Sequence, residues 1–298
     1  MGEVLVGQDA VDSLLGVLDL EEIDTGLYRG PRAEVGLQRV FGGQVAGQAL
    51  VAAGRTVAPD RRVHSLHGYF VRPGDSSKPI LYQVEHIRDG RSFSVRRTVA
   101  LQGGRTIFFM SASFHTGEPG LEHGDPAPTG LPAPEAVPTI AERLQADPDR
   151  LSMWARIPRP IDVRYLGGSG YFRSGERPAE ERQRVWMKAD GKLPDDPLIH
   201  VCVLTYASDL TLLDSVLSRH GAVWGPGGYL GTSLDHALWF HRPFRADEWI
   251  LYDAESPTAS GGRGLAQGRF FDRDGLHIAS ATQEGLLRQT PDFPPGVP

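Results

Sequence analysis

The chain states one pattern twice. Ser65 to Tyr82 reads SLHGYFVRPGDSSKPILY, and Asp235 to Tyr252 reads DHALWFHRPFRADEWILY. Phe70, Arg72, Pro73, Ile80, Leu81 and Tyr82 recur as Phe240, Arg242, Pro243, Ile250, Leu251 and Tyr252, each pair 170 residues apart. An unrelated pair of 18-residue windows shares about one identity at ordinary residue frequencies. A period this long exceeds that of any solenoid repeat. It predicts two copies of one domain in tandem, and a chain of 298 residues has room for both.

The totals exclude several classes. Hydrophobic content of 40% and charged content of 23% are those of a soluble globular protein. A net charge of −6 argues against nucleic acid as a partner. The single cysteine, Cys202, rules out an internal disulfide framework and suits a reducing compartment. No run of 18 apolar residues predicts a membrane span. No basic stretch precedes an apolar core at the N-terminus, and the C-terminus does not end in Ser-Lys-Leu. A cytoplasmic location is the expectation.

The organisation follows the repeat. We divide the chain into a first unit at 10–118, a Pro/Ala-rich linker at 119–155, a second unit at 156–290 and a loose tail at 291–298. In the first unit VAGQALVAA (Val45 to Ala53) follows Phe41-Gly42-Gly43-Gln44, with no charge between Val40 and Gly54. A helix apolar on nearly all sides belongs inside a protein. Strand patterns follow. Phe93, Val95, Val99 and Leu101 share one face, with Arg97 the exception; Thr106, Phe108, Met110, Ala112 and Phe114 share another. Gly103-Gly104 marks the hairpin between them. The second unit repeats the plan, with His200 to Ser218 as the apolar helix region and Asp274-Gly275 as the hairpin signal. One central helix wrapped by long antiparallel strands is the hot-dog pattern; two copies predict a tandem (double) hot-dog of the α+β class.

Three side chains invite chemistry. Asp209 is the only formally charged residue between Pro197 and Leu213. A carboxylate in an apolar helix region is either an N-cap, as Ser208 or Asp209 could be, or a working group. Gln283 closes a row with His277, Ala279 and Ala281 on the last strand, where a buried amide needs partners. Its counterpart in the first copy, aligned on the hairpin glycines, is Ala112. Ser233 precedes the strand DHALWFHRPF. For Ser233 and Gln283 the alternative reading is a satisfied polar group at a strand end.

The stretches VHSLHGYFVRPGD, DGRSFSVRRTVALQ, YASDLTLLDS, SLDHALWFHRPF and ATQEGLLR resemble the acyl-CoA thioesterase II family over roughly residues 10 to 290. The resemblance implies a double hot-dog that hydrolyses fatty acyl-CoA thioesters, assembled as dimers or tetramers. It also implies a catalytic set of an Asp, a Thr or Ser, and a Gln in the second unit. These match Asp209, Ser233 and Gln283. The family more often carries Thr at the hydroxyl position, and Thr232 stands one residue away.

The chemistry is coherent on its own terms. Thioester hydrolysis needs a positioned water, a base and donors for the developing oxyanion. Asp209 would take the proton, and Ser233 and Gln283 would orient water and carboxylate. Backbone N–H groups at a helix start near Asp209 would face the oxyanion. Cys202, among apolar neighbours, reads as inert core. No Gly-x-Ser-x-Gly elbow occurs, which counts against an α/β-hydrolase thioesterase, and no His/Cys cluster has metal-ligand spacing, so no metal or redox cofactor is implied. His64 and His67, three apart on a strand, are predicted to face opposite ways; His67 is the candidate near substrate. Among the arginines at 88, 91, 96, 97 and 105, Arg91 on the turn DGRS is the candidate for the coenzyme A phosphates, against a solvated sheet face. Two other functions are weighed: a non-catalytic acyl-CoA binding or sensing protein, and a hot-dog enoyl-CoA hydratase. The hydratase is disfavoured because no His follows Asp209 until His220.

Overall fold

The structure is a computed structural model, and it describes residues 5–31, 39–145, 158–169, 181–225 and 227–291. The first half runs α1 (Gly7–Leu18), β1 (Glu21–Asp24), β2 (Leu27–Gly30), α2 (Gly42–Gly54), β3 (Arg62–Phe70), β4 (Ile80–Asp89), β5 (Phe93–Gln102) and β6 (Arg105–His115). A short helix α3 (Ile140–Leu144) follows, opened by a Thr139/Glu142 capping box. The second half runs β7 (Ile161–Tyr165), β8 (Arg182–Ala189), α4 (Pro197–Ser208), α5 (Asp214–Ser218), β9 (Tyr229–Ser233), β10 (Asp235–Phe240), β11 (Ile250–Ser260), β12 (Arg263–Phe271) and β13 (His277–Gln289). Among the described residues no helix is long and apolar enough to cross a membrane.

The thirteen strands of the described residues join one antiparallel sheet in the order β1-β2-β4-β5-β6-β3-β10-β13-β12-β11-β8-β7, with β9 on β13. Each half of the sheet curls over its helices, giving the double hot-dog. The halves meet where β3 pairs with β10, and that register is informative. His67 faces Ala237, its own counterpart in the 170-residue repeat, while Leu66 faces Leu238 and Gly68 faces His236. The repeat and the strand pairing share one centre, as an isologous two-fold contact requires. The Arg-Pro corners also match: Arg72 donates to Thr106 O at 2.8 Å, and Arg242 to His277 O at 2.7 Å.

Beneath this seam α2 and α4 pack antiparallel. Their approach is close because α2 carries glycine at the contacts. A Cβ on Gly47 would lie 3.3 Å from Cys202 O, and one on Gly43 only 2.4 Å from Tyr206 O. Eleven of the thirteen residues of α2 are buried, from Gly43 to Ala53, as its uncharged sequence predicts. Cys202 is fully buried, and burial pushes its thiol well above the ordinary value.

Three expectations about faces are corrected. On β5 the helix-facing row is Ser94, Arg96, Thr98, Ala100 and Gln102, not the apolar one. Local partners satisfy that polar row: Arg96 meets Asp89 and Thr56, Thr98 meets Ala49 O, and Gln102 meets the backbone of Asp75 and Lys78. His64 and His67 lie on the same outer face, because the β3–β6 register shifts between Val63 and Ser65. His64 bonds Ser113, and His67 faces Ser111 two residues along β6. A shift between Phe270 and Phe271 likewise turns His277 out to Ser280, leaving Ala279, Ala281 and Gln283 inward.

Between the halves, residues 123–145 form a strap rather than a free tether. Val137 buries with Trp186, Trp249, Leu251 and Phe271 on the outer face of the second half. Trp186 donates to Pro132 O, and Asp125 and Glu135 pair with Arg269 and Arg273. Beside the strap, Asp253 is buried and receives Arg182, Arg184 and Arg269 at 2.7 to 3.0 Å. The tail from 292 to 298 lies outside the described residues.

Candidate active site

Asp209 ends α4 instead of starting a helix. It is the C-cap residue, while Asp196 caps the N-terminus by accepting from Leu198 N at 2.9 Å. The N-cap alternative for Asp209 is therefore wrong. A helix start does face Asp209, but it belongs to the other half: the Gly43 N–H of α2 donates to this carboxylate. The contact depends on Gly42, where a Cβ would sit 2.7 Å from Asp209 Oδ2 and 3.0 Å from the Phe70 ring.

Gln283 comes from β13 and is fully buried; its Nε2 donates to Asp209 Oδ1 at 2.6 Å. Ser233 comes from the end of β9, and its Oγ donates to the same oxygen at 3.3 Å, a long bond. Ser233, not Thr232, reaches the carboxylate; Thr232 is exposed. Glycine and alanine on β12 and β13 make room for this cluster, with Gly268 opposite Ala281 and Ala266 opposite Gln283.

The electrostatics suit a base. Burial pushes the Asp209 carboxyl up to about 6, against the lowering effect of the bonds from Gln283, Gly43 and Ser233. The donors that contact it are all neutral, so no cation fixes the carboxylate as ionised. Tyr206 and Phe41 meet edge to face beside it, and burial together with the Asp209 charge raises Tyr206 to about 12. His236, buried on β10, bonds Ser208 at 2.7 Å, and burial lowers it to about 4. Sequence reasoning missed the contribution of α2; the Gly-Gly pair before an uncharged helix was the signal that could have found it.

The other candidates stand apart from Asp209. His67 is exposed on the outer face, edge to face with Trp239 at 4.9 Å. Arg91 is exposed on the β4–β5 turn, next to the Phe93–His115 row. The Phe70 end of the strands, which adjoins Gly42, aligns with Phe108 and Ala100. Those rows are seven residues apart on β5, about 23 Å at the rise of a strand. Arg96 is spent on Asp89 inside the fold. Among the described residues no cluster of His, Cys, Asp or Glu could hold a metal.

The comparisons match both halves. The model of the acyl-CoA thioesterase family covers residues 171–286, and that of the acyl-CoA thioesterase N-terminal domain covers 29–115. Human acyl-coenzyme A thioesterase 8 is 42% identical, with 92% of this chain and 88% of that protein covered. The chain belongs to the acyl-CoA thioesterase II family. Acyl-CoA thioesterase 2 of Haemophilus influenzae is 40% identical over 94% of this chain and 98% of its own length. The crystal structure of the acyl-CoA thioesterase II TesB2 from Mycobacterium marinum is 41% identical, with a TM-score of 0.76 over 95% of this chain and 100% of that one. A hot-dog protein from Alicyclobacillus acidocaldarius, 20% identical with a TM-score of 0.72 over 93% of this chain and 98% of its own, supports the fold alone.

The bond lengths rank the two neutral partners. Gln283→Ala should lower kcat more than Ser233→Ala, because the amide makes the shorter bond and its loss leaves Asp209 without its strongest donor. Turnover of both variants in one assay checks this; the reverse order would refute the ranking.

Proposed function

We propose that this protein hydrolyses acyl-CoA thioesters to free fatty acid and coenzyme A, with Asp209 as the base and Ser233 and Gln283 as its partners. The observation that carries the proposal is Asp209 itself: a raised carboxylate bonded by three neutral donors from three elements, in a chain of this family. Asp209 accepts a proton from water as the water oxygen bonds to the thioester carbonyl carbon. The carbonyl becomes an oxyanion, which the remaining N–H groups of the first turn of α2 would face. Collapse expels the coenzyme A thiolate, which needs little help to leave, and no covalent enzyme intermediate is required.

The experiment is release of free thiol from acyl-CoAs of varied chain length, by the parent and by Asp209→Asn. Thiol release that collapses in the variant supports the proposal. Binding without turnover in the parent would identify a sensor instead. A homodimer or homotetramer belongs to the same proposal. It is supported by the outward apolar residues of the first half, where Tyr69 is 56% and Phe93 44% exposed; light scattering tests it. A cytoplasmic location is supported by the lone buried cysteine.

A further inference from the structure

The duplication supplies an internal comparison. Tyr82 on β4 and Tyr252 on β11 are repeat counterparts, and both are buried. Tyr82 Oη donates to Gln48 Oε1 of α2 at 2.6 Å. Tyr252 Oη has no hydrogen-bond partner among the described residues. A buried hydroxyl left unpaired is destabilising, and phenylalanine would fill the same volume without that cost. Its presence in one half only as an orphan calls for a use.

The strand register shows where the hydroxyl points. The Tyr252 ring stacks on Phe270 with centroids 3.8 Å apart. It leans along β12 over Gly268, where a Cβ would be 2.2 Å from the ring and 3.1 Å from Oη. Phe270 faces Ala279, Gly268 faces Ala281, and Ala266 faces Gln283. The lean is thus toward the Gln283 row, about 7 Å further on, a gap that an amide side chain and one water span. Gln283 Oε1 is also buried without a partner among the described residues, while its Nε2 donates to Asp209. An orphan donor and an orphan acceptor share one floor of small residues. Burial holds Tyr252 well above the ordinary tyrosine value, and the nearby Asp209 charge adds to it.

We propose that Tyr252 is a positioning residue for hydrolysis: its hydroxyl donates through one water to Gln283 Oε1 and so holds the amide with Nε2 on Asp209. The inference rests on the reading of Asp209 as the base.

The test compares Tyr252→Phe, Tyr82→Phe and Asp209→Asn in one acyl-CoA thiol-release assay with parallel thermal melts. Tyr252→Phe should lower kcat about tenfold with KM little changed and a smaller loss of melting temperature than Tyr82→Phe, because a water-bridged bond and not a direct one is removed. The acidic limb of its kcat/KM profile should move to higher pH, because a loosened amide lowers the Asp209 pKa less. The groups acting on Asp209 are Gln283, the Gly43 N–H and Ser233, none of them charged, and Tyr206 faces it as a neutral phenol. Tyr82→Phe should do the reverse, losing melting temperature while kcat and the limb stay put. An unmoved acidic limb in Tyr252→Phe overturns the inference whatever kcat does, as does a loss of melting temperature matching that of Tyr82→Phe. If Asp209→Asn abolishes turnover while Tyr252→Phe behaves as the parent, the inference alone fails. If Asp209→Asn turns over normally, the reading beneath it fails too.

Discussion

Replacing Asp209 by Asn should lower kcat roughly 10²–10⁴-fold, the range a positioned general base contributes, while leaving KM within a few-fold. The same change should make the protein more stable at alkaline pH. The folded-state pKa of Asp209 is raised to about 6 from 3.8. Stability linked to this group is therefore fully present below about pH 4 and is lost as pH rises through about 6. The gap is worth at most roughly 3 kcal/mol at 1.36 kcal/mol per pH unit, and less because Asp209 keeps some solvent contact. Asparagine has no charge to desolvate, so the variant should melt higher than the parent at pH 8 and alongside it at pH 4. The parent kcat/KM should rise between about pH 5 and 7 as the carboxyl loses its proton. Turnover within twofold of the parent in Asp209→Asn would remove Asp209 from the mechanism. A difference in melting that does not vary with pH would remove the account of its burial.

Adding one methyl group on the other half of the chain should have the second largest effect. In Gly42→Ala the new Cβ would start 2.7 Å from Asp209 Oδ2 and 3.0 Å from two ring carbons of Phe70. Either the carboxylate or the ring must move. A displacement near 1 Å at a reacting group costs roughly 100-fold in rate, whereas overpacking of this size costs about 1–3 kcal/mol of stability. The expected result is a folded protein with kcat down about 100-fold. Parent-like turnover in this variant would show that the end of α2 does not set the geometry of Asp209. Unfolding at room temperature would show that Gly42 serves packing first.

The sequence announced the duplication, the buried helix and Asp209, because each leaves a local mark: a repeated word, a missing charge, a lone carboxylate. Ser233 and Gln283, which meet Asp209, were singled out by the family resemblance. What the sequence hid was non-local. Nothing near Asp209 in the chain says that its helix-end donor lies 166 residues earlier, at Gly43. The faces of β5 were misread because its inward row is polar and paired, while its apolar row looks out. His64 and His277 were placed on the wrong faces because a register shift reverses the alternation on which such counting depends. Arg96 illustrates the same limit: a charge in a basic run is nearly fully buried against Asp89.

The pairing of His67 with Ala237 marks an axis about which the two halves would be interchangeable if they were identical. Asp209 breaks that equivalence sterically as well as chemically. Its carboxylate occupies volume that any side chain at Gly42 would claim, so a carboxylate added there would compete with Asp209 for the same space. The chain has room for one base at this junction, and the bare backbone opposite is the condition for it. Cutting the protein between its halves would therefore do more than expose two sheet edges. It would leave the half that holds the acid without the surface against which that acid is held.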